Sequence, residues 1–215
     1  MFTGIIEHQG TITRLRTDSS GGRLTVHAPS LASKLAASAS IAVNGCCLTV
    51  VGTEHQHFSA DLSPETLAKT SFLALRPGAR VNLEQPVSAG KEFGGHFVLG
   101  HVDGTGRVSH LTPDGDSWLF GIHIPAELAP YIVSKGSLTI DGVSLTVARW
   151  HNSIAEIAII PYTYQHTNIS DRAAGEPVNL EADILGKYIE NYLRQSRSSS
   201  PSPSFRIADL ISQGF

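Results

Sequence analysis

The 215-residue sequence has little of what usually binds metals, membranes or nucleic acids. It holds two cysteines, and none of its 10 histidines falls in an HExxH or CxxC setting. No apolar run approaches the roughly 20 residues of a membrane span, and the first residues lack a cationic start followed by an apolar core. Its 16 lysines and arginines face 19 aspartates and glutamates, with no long basic run. We therefore expect no metal, nucleic-acid or membrane partner.

The two cysteines are neighbours in the chain, at Cys46 and Cys47. Adjacent side chains of an extended strand point to opposite faces, so a disulfide between them is geometrically poor. A reducing compartment is the simpler inference, and we expect a cytoplasmic protein. The net charge of -3 and the hydrophobic content of 41% are those of a globular protein.

An internal repeat is the strongest signal in the sequence. Two separated motifs recur at one offset of 97 residues, since Gly45 aligns with Gly142 and Val81 with Val178. A single offset for both motifs argues for duplication rather than chance. The matched segments are VNGCCLTV (43–50) with IDGVSLTV (140–147), ARVNLE (79–84) with EPVNLE (176–181), Gly4 and Gly10 with Gly100 and Gly106 at an offset of 96, and LSPETLAKT (62–70) with IPYTYQHTN (160–168) at an offset of 98.

Each copy of the repeat predicts a small all-β domain. Its segments are short, rich in Val, Ile, Leu and Thr, and broken by Gly, Pro, Asp and Ser, which is typical of short strands that close a barrel. The Gly-rich segment 88–95 is the natural joint between the copies. We therefore place the first domain at 1–95 and the second at 96–183.

A short helix is predicted inside the first copy, around SPETLAKTSF (63–72). Ser63 can cap this helix, and Pro64 can take its first position. In the second copy Pro161 lies earlier under the offset of 98, so we expect that helix to start differently.

After Asp183 the apolar pattern changes to a helical period. A helix over 184–195 is predicted, and a helix with one apolar face needs something to pack against. The residues from 196 to 215 begin with a Ser/Pro-rich run, and we expect a flexible tail there, with a short amphipathic helix at its end over 205–215. The apolar stripe of the main helix consists of Ile184, Leu185, Tyr188, Ile189, Tyr192 and Leu193.

Five motifs, in this order and duplicated, resemble the riboflavin synthase family. The resemblance covers about residues 1 to 195, and it is the ordered set that makes it specific. The motifs are MFTGII (1–6), SIAVNGCCLTV (40–50), GGHFVLGHVDGTG (94–106), SLTIDGVSLTV (137–147) and VNLEADILGKY (178–188).

The resemblance implies a fold, a reaction and an assembly. The implied fold is all-β, with two homologous six-stranded Greek-key barrels and a C-terminal amphipathic helix that gathers three chains into a homotrimer. The implied substrate is 6,7-dimethyl-8-ribityllumazine, two molecules of which dismutate by four-carbon transfer into riboflavin and a ribitylaminopyrimidine without a cofactor. The productive pair of barrels is expected between neighbouring subunits, and association with lumazine synthase is a further expectation.

Duplication also suits such a reaction on chemical grounds. Two copies of one molecule need two similar pockets, one for the donor and one for the acceptor. Holding two reactants face to face can supply much of the rate, since effective molarities reach about 10⁵ M or more for well-aligned groups.

Four residues are the catalytic candidates implied by the resemblance. Cys47 and Ser144 occupy the same repeat position, so a nucleophilic or hydrogen-bonding side chain stands there in both copies. His101 is a candidate acid or base, because imidazole titrates near neutral pH, and its repeat counterpart is Ile5. Asp183 is part of the site by the resemblance and a candidate cap of the terminal helix by its position, and the two roles are compatible. The sequence leaves open which group removes a proton and whether Cys47, Ser144, water or a ribityl hydroxyl adds to the ring.

The ligand-binding candidates implied by the resemblance lie on strands, at the N-terminus and in two loops. The loops 61–66 and 160–165 are expected to bind mainly through backbone groups. Tyr162 and Tyr164 make the second loop bulkier than is usual in the family. The full set is Phe2, Gly4, Ile5, Ile6, Leu48, Thr49, Asp61, Leu62, Ser63, Pro64, Glu65, Thr66, Gly100, Val102, Lys135, Leu145, Thr146, Ile160, Pro161, Tyr162, Thr163, Tyr164 and Gln165.

Two other functions remain alternatives on the same fold. A non-catalytic lumazine- or flavin-binding antenna protein needs only one binding barrel, and retention of the four catalytic candidates together favours the enzyme over it. A flavin-binding oxidoreductase would need a Gly-rich dinucleotide loop, for which GTG at 104–106 is too short.

Overall fold

The computed structural model describes residues 1–198. Residues 1–184 form one compact unit, and the described residues from 185 to 198 belong to a second. Among the described residues, no helix has both the length and the apolar character needed to cross a membrane.

The first copy of the repeat forms a closed six-stranded barrel. Its strands lie in the order β1-β2-β5-β4-β3-β6, so β2 pairs with β5 instead of β3, which is a Greek-key crossover. The strands are β1 (His8–Asp18), β2 (Gly21–His27), β3 (Ser40–Val43), β4 (Cys46–Glu54), β5 (His57–Leu62) and β6 (Arg80–Glu84); helix α1 (Pro64–Lys69) and 3₁₀ helices at Ala32–Lys34 and Ser71–Ala74 connect them.

The second copy forms a seven-stranded sheet with the same neighbours. Its order is β10-β9-β13-β7-β8-β12-β11. The strands are β7 (Gly104–Asp114), β8 (Ser117–His123), β9 (Ser137–Ile140), β10 (Val143–Thr146), β11 (Arg149–His151), β12 (Ile154–Ile159) and β13 (Pro177–Ala182), with helix α2 (Pro161–His166) and 3₁₀ helices at Ala129–Tyr131 and Asn168–Asp171. The prediction of two barrel-like sheets in an all-β chain is thus confirmed.

The seventh strand arises because one strand of the second copy is interrupted. Strands β10 and β11 together span the positions that β4 spans in the first copy, 97 residues earlier. The gap at Val147 and Ala148 corresponds to the bulge that shifts the register of β4 between Val50 and Gly52. A bulge that only bends β4 therefore divides its counterpart into two segments.

The alternation predicted for the strands is clear in β4. Cys46, Leu48 and Val50 are buried in the barrel, whereas Cys47 is half-buried and Thr49 is exposed. Such alternation is expected when only one face of a strand lies against a core. Each sheet encloses its own cluster of buried apolar side chains, which include Ile12, Leu24, Phe58 and Leu83 in the first and Phe120, Ile122, Leu138 and Leu180 in the second.

The two short helices begin at equivalent positions, which corrects the sequence alignment of these loops. Pro64 and Pro161 each stand at the start of their helix, 97 residues apart, so both the offset of 98 and the expected different start are wrong. The fixed φ of proline suits the first helical position and so sets both starts. The predicted cap is confirmed, because Ser63 Oγ accepts a hydrogen bond from Thr66 N at 3.0 Å.

Helix α3 (Ile184–Ser198) confirms the predicted C-terminal helix and runs three residues beyond the expected end at 195. Ser196 Oγ donates to the carbonyl oxygen of Tyr192 at 2.9 Å within this last turn. The apolar stripe is exposed, most strongly at Tyr188 (67%) and Tyr192 (70%). The expected tail lies outside the described residues from 199 onward, as does the short helix expected at 205–215.

The two copies meet at their repeated Asn-Gly and Asp-Gly turns. A Cβ on Gly45 would lie 2.7 Å from Gly142 N, and one on Gly142 would lie 2.6 Å from Gly45 N. Both glycines have positive φ, so no larger residue fits either turn. Buried amides reinforce the contact, since Asn82 Nδ2 donates to the carbonyl oxygen of Asp141 and Asn179 Nδ2 to that of Asn44.

Candidate active site

Each copy of the repeat contributes a segment that packs against the other copy. Ser144 N, on β10, donates to the carbonyl oxygen of Gly4 at 2.7 Å, and Cys47 N, on β4, donates to that of Gly100 at 2.8 Å. Gly4 and Gly100 both have positive φ and lie against the side chain opposite, where a Cβ would come within 2.6 Å. The opening segment of one copy therefore passes over the Cys or Ser position of the other. We call residues 1–6 and 96–102 the crossed segments.

Two buried carboxylates hold the crossed segments in place. Glu84, at the end of β6, accepts hydrogen bonds from Thr3 N at 2.7 Å and Gly4 N at 3.0 Å. Glu181, on β13 and 97 residues later, accepts from Leu99 N at 2.6 Å and Gly100 N at 3.0 Å. Burial raises the pKa of Glu84, while the donors from Thr3 and Gly4 act in the opposite direction.

A cavity of about 230 Å³ lies between the first barrel and the crossed segment 96–102. It brings together two catalytic candidates, Cys47 and His101, and several binding candidates. Helix α1 borders it along its length, from the capping residue Ser63 to Lys69. Its lining is Cys46, Cys47, Ser63, Glu65, Thr66, Lys69, Thr70, Gly100, His101 and Val102.

The two cysteines are free thiols with different surroundings. Cys46 belongs to the first core, and burial raises the pKa of its thiol to about 12, so it stays protonated near neutral pH. Cys47 is half-buried and packs against Phe2, whose ring is fully buried together with Ala42 and Val98. Phe2 also pairs through its backbone with Val98. The N-terminus thus lies against the candidate thiol.

Ser144 has a side-chain partner in the structure. Its Oγ lies 2.7 Å from His96 Nδ1, and His96 Nε2 lies 3.1 Å from Thr139 Oγ1. Burial lowers the pKa of His96, and the charge of Asp183 partly opposes this. The second copy therefore places a neutral imidazole beside the serine that corresponds to Cys47.

The aromatic residues of α2 have distinct surroundings. Tyr164 stacks on Trp118 of β8, with ring centroids 3.7 Å apart, and is partly buried against the second core. Tyr162 is 68% exposed and stacks on His166 at 4.0 Å. The extra bulk of this loop is thus divided between a packing role at Tyr164 and a surface ring at Tyr162.

The other binding candidates fall into three groups. Leu48, Leu62 and Leu145 lie in the two cores, and Ile6 and Val102 pack against the core of the opposite copy. Asp61 is exposed and forms a two-point ion pair with Arg23, which lowers the pKa of its carboxyl. Exposed positions are Ile5, Thr49, Lys135, Thr146, Ile160, Pro161 and Gln165, while Pro64 starts α1 and Thr163 is half-buried in α2.

A larger cavity of about 540 Å³ lies on the outer face of the first barrel. It is lined by residues such as Arg23, Gly52, Glu54 and His57, and none of the candidate site residues reaches it. The smaller cavity is lined by candidate residues of both copies, Cys47 and His101, so we place the candidate site there. In the described residues 1–198, no group of three or more His, Cys, Asp or Glu side chains is arranged to hold a metal ion.

Three residues that matter for the geometry were not among the candidates: His96, Glu84 and Glu181. Both glutamates end the repeated VNLE motif, so the repeat itself carried a signal for them. Their partners lie about 80 positions away in the chain, which no local pattern reveals. His96 stood within the GGHFVLGHVDGTG motif, where only His101 was singled out.

Comparison with known proteins agrees with this duplicated geometry. The model of the lumazine binding domain matches residues 3–86 and again 99–183. A riboflavin synthase of Actinobacillus pleuropneumoniae is 40% identical over 215 residues, which is 100% of both chains. Crystal structures of LumP match with 27% identity over 85% of this chain and 99% of that chain, with TM-scores of 0.80 for its riboflavin complex and 0.77 for its 6,7-dimethyl-8-ribityllumazine complex.

Fold and site together define a duplicated lumazine-binding protein. The chain belongs to the riboflavin synthase family.

Proposed function

We infer that the protein is a riboflavin synthase, which converts two molecules of 6,7-dimethyl-8-ribityllumazine into riboflavin and 5-amino-6-ribitylamino-pyrimidinedione by transfer of a four-carbon unit. The single observation that carries this inference is 40% identity to a riboflavin synthase along the whole of both chains. The paired arrangement of Cys47 and Ser144 under the crossed segments supports it, because a dismutation needs two related but unequal sites.

The two halves differ in the groups that they offer to a ligand. The first has a thiol, the His101 imidazole and the carboxylate of Glu65 around one cavity. The second has a hydroxyl beside a neutral imidazole and the exposed ring of Tyr162. Unequal groups at equivalent positions support separate donor and acceptor sites.

A non-catalytic antenna protein is the less favoured alternative. Solved LumP structures share the fold but are 27% identical, whereas the synthases match at 36% to 41%. The chain also keeps Cys47, His101, Ser144 and Asp183 together.

Purified protein mixed with the lumazine alone tests the function. Because the ring system of the substrate can itself stabilise the anion left when its 7-methyl group loses a proton, we expect riboflavin to form with EDTA present and with no cofactor added. Absorbance of the product over time is the measurement. A strict need for added metal or nicotinamide, or binding of the lumazine without turnover, would contradict the proposal.

Cys47 and Ser144 are proposed to take part in the chemistry. Each alanine variant should reduce the single-turnover rate about 10-fold or more while the protein stays folded, since both side chains border the crossed segments. Circular dichroism and rapid-mixing absorbance measure the two properties. Full single-turnover rates in both variants would show that neither side chain takes part.

The assembly and location are also proposals. A homotrimer is supported by the exposed apolar stripe of α3, since three such stripes can cover one another. In that trimer, the donor and acceptor sites come from neighbouring subunits. A cytoplasmic location is supported by the two free thiols. Association with lumazine synthase rests on the family resemblance, and native mass spectrometry of the two proteins mixed together tests it.

A further inference from the structure

Helix α1 presents two charged side chains to the cavity of the first copy. Glu65 and Lys69 both line this cavity of about 230 Å³. They stand four positions apart in the chain, so their side chains share one face of the helix. The cavity therefore has a carboxylate and an ammonium group on the same wall.

The other polar side chains of this wall are bonded to the helix itself. Ser63 Oγ accepts from Thr66 N at 3.0 Å and lies 2.9 Å from Thr66 Oγ1. Thr70 Oγ1 donates to the carbonyl oxygen of Thr66 at 2.7 Å. Within residues 1–198, by contrast, neither Glu65 nor Lys69 forms an ion pair or a side-chain hydrogen bond. These two side chains are therefore available to a ligand.

The equivalent positions of helix α2 carry no such pair of charges. The two helices start 97 residues apart, so Glu65 corresponds to Tyr162 and Lys69 to His166. Tyr162 and His166 stack on each other with ring centroids 4.0 Å apart, and His166 Nδ1 lies 2.8 Å from the carbonyl oxygen of Tyr162. The charged wall is thus a property of the first site.

Both charges act at short range on anything that the cavity holds. A cavity of this volume places its lining groups within a Debye length, about 8 Å at physiological salt, of an enclosed ligand. A nearby opposite charge stabilises the charged form of a titrating group, and a nearby like charge destabilises it. The ammonium group of Lys69 therefore favours a ligand anion, and the carboxylate of Glu65 disfavours one.

We propose that Lys69 stabilises the anionic form of the lumazine bound in the first site and that Glu65 limits this effect. This inference rests on the proposed function. The anion forms when a C–H bond of the 7-methyl group breaks, the proton passes to water, and the electron pair spreads over the ring system. Lys69 is then a substrate-binding residue that makes this proton easier to remove.

A role confined to helix stability makes a different prediction. Glu65 lies in the first turn of α1 and Lys69 in the last, where each charge also suits the helix dipole. If the pair serves only the helix, neutralising either side chain changes the stability of the protein and leaves the bound ligand unaffected. Opposite changes in the ionisation of the ligand separate the two roles.

The test compares Lys69→Met, Lys69→Arg and Glu65→Gln, with Lys34→Met as the matched control. Lys34 is an exposed lysine in the 3₁₀ helix of the same barrel and does not line the cavity. Each full-length protein is mixed rapidly with the lumazine between about pH 6 and about pH 9, and absorbance is recorded before riboflavin forms. The pH at which half of the bound lumazine is anionic gives the pKa of the bound ligand.

We expect Lys69→Met to raise the pKa of the bound lumazine by about 0.5 to 1 and Glu65→Gln to lower it by a similar amount. The changes stay this small because both side chains are exposed and water screens their charges. Lys69→Arg keeps the charge and should leave the pKa within about 0.2 of the native value, as should Lys34→Met. A rise of 1 means about tenfold less anion, so the single-turnover rate of Lys69→Met near neutral pH should fall about 3- to 10-fold.

The same titration decides against the inference if the charges do not act on the ligand. An unchanged pKa in Lys69→Met, or changes of the same sign in Lys69→Met and Glu65→Gln, would overturn it. A change in Lys34→Met as large as that in Lys69→Met would do so too. The second site is the same in every variant, so differences between the titrations belong to the first site.

The titration and the turnover assay can fail separately. If the native protein binds the lumazine and forms no riboflavin, the proposed function fails, and the titration alone then decides the role of Lys69. If riboflavin forms and the titrations of all variants coincide, the proposed function stands and the role of Lys69 is refuted.

Discussion

At the scale of single residues, Glu181 and Glu84 determine whether the crossed segments stay in place. Each carboxylate accepts two backbone N–H groups of the segment that covers a candidate site, at distances of 2.6 to 3.0 Å. Buried N–H groups need such acceptors, and leaving one without a partner costs about 1 to 3 kcal/mol.

We expect Glu181→Gln to lower the free energy of unfolding by about 1 to 3 kcal/mol, because the amide replaces one acceptor oxygen with a donor. Amide hydrogen exchange should become faster at Leu99 and at Gly100, the second of which lines the cavity of about 230 Å³. Glu84→Gln is the matched control and should affect Thr3 and Gly4 instead. Unchanged exchange at Leu99 and Gly100 would contradict the role assigned to Glu181.

The candidate residues that could be predicted from the sequence were those with a distinctive local motif. Cys47, His101 and Ser144 were predicted this way, and the first two line one cavity, while their roles stay predictions. His96 and the two glutamates depend on partners far along the chain, where sequence spacing carries no geometric information. Leu48 and Leu145 were candidates implied by the family resemblance, whereas strand alternation directs their side chains into the cores.

At the scale of elements, helices α1 and α2 occupy equivalent positions but differ in how their first turns are capped. Both start at proline, but Ser63 caps α1 with its side chain, and Ile160 gives α2 no such bond. The repeat predicted both elements correctly in kind. The sequence alignment of the two loops was wrong by one residue. It was based on similar residue types and not on the preference of proline for the first position of a helix.

Removing the cap of α1 and adding one to α2 gives a paired prediction. Ser63→Ala should lower the free energy of unfolding by about 1 kcal/mol, and Ile160→Ser should raise it by about 0.5 to 1 kcal/mol, because a serine oxygen can accept from the first turn. Urea denaturation followed by circular dichroism measures both. Equal changes of the same sign would show that capping does not explain the difference between the helices.

The strands of the second sheet include one break that the sequence did not predict. Short segments between turn residues predicted the barrels, and both sheets are present. The break between β10 and β11 was not predicted, since VSLTVARWH (143–151) has no glycine or proline to mark it. The break falls at the position where the register of β4 shifts in the first copy, and no residue type in the segment marks that position.

At the scale of the whole molecule, the stripe on α3 carries the proposed assembly. Leu185, Ile189 and Leu193 are all at least half-exposed in the single chain. Burial of a large apolar side chain contributes about 1.5 to 3 kcal/mol, so several per chain can offset the entropy lost on association.

A chain that stops after Asp183 should therefore be monomeric. Turnover should collapse, because the proposed donor and acceptor sites would belong to separated subunits, while each half still binds ligand. Analytical ultracentrifugation and the riboflavin assay measure the two properties. Leu193→Ala in the full chain is a milder control that should weaken assembly without removing it, and a fully active truncated monomer would refute the role of the helix.

The crossed segments also have a consequence for the order in which the protein is made. A nascent chain that has left the ribosome as far as Glu84 already contains every strand of the first barrel. It does not yet contain Gly100, whose carbonyl oxygen receives the N–H of Cys47. Gly4, by contrast, is present long before Ser144 is translated. The first barrel can therefore close before the segment 96–102 that covers its site has been made. The segment 1–6 that covers the second site is already present when the second barrel forms.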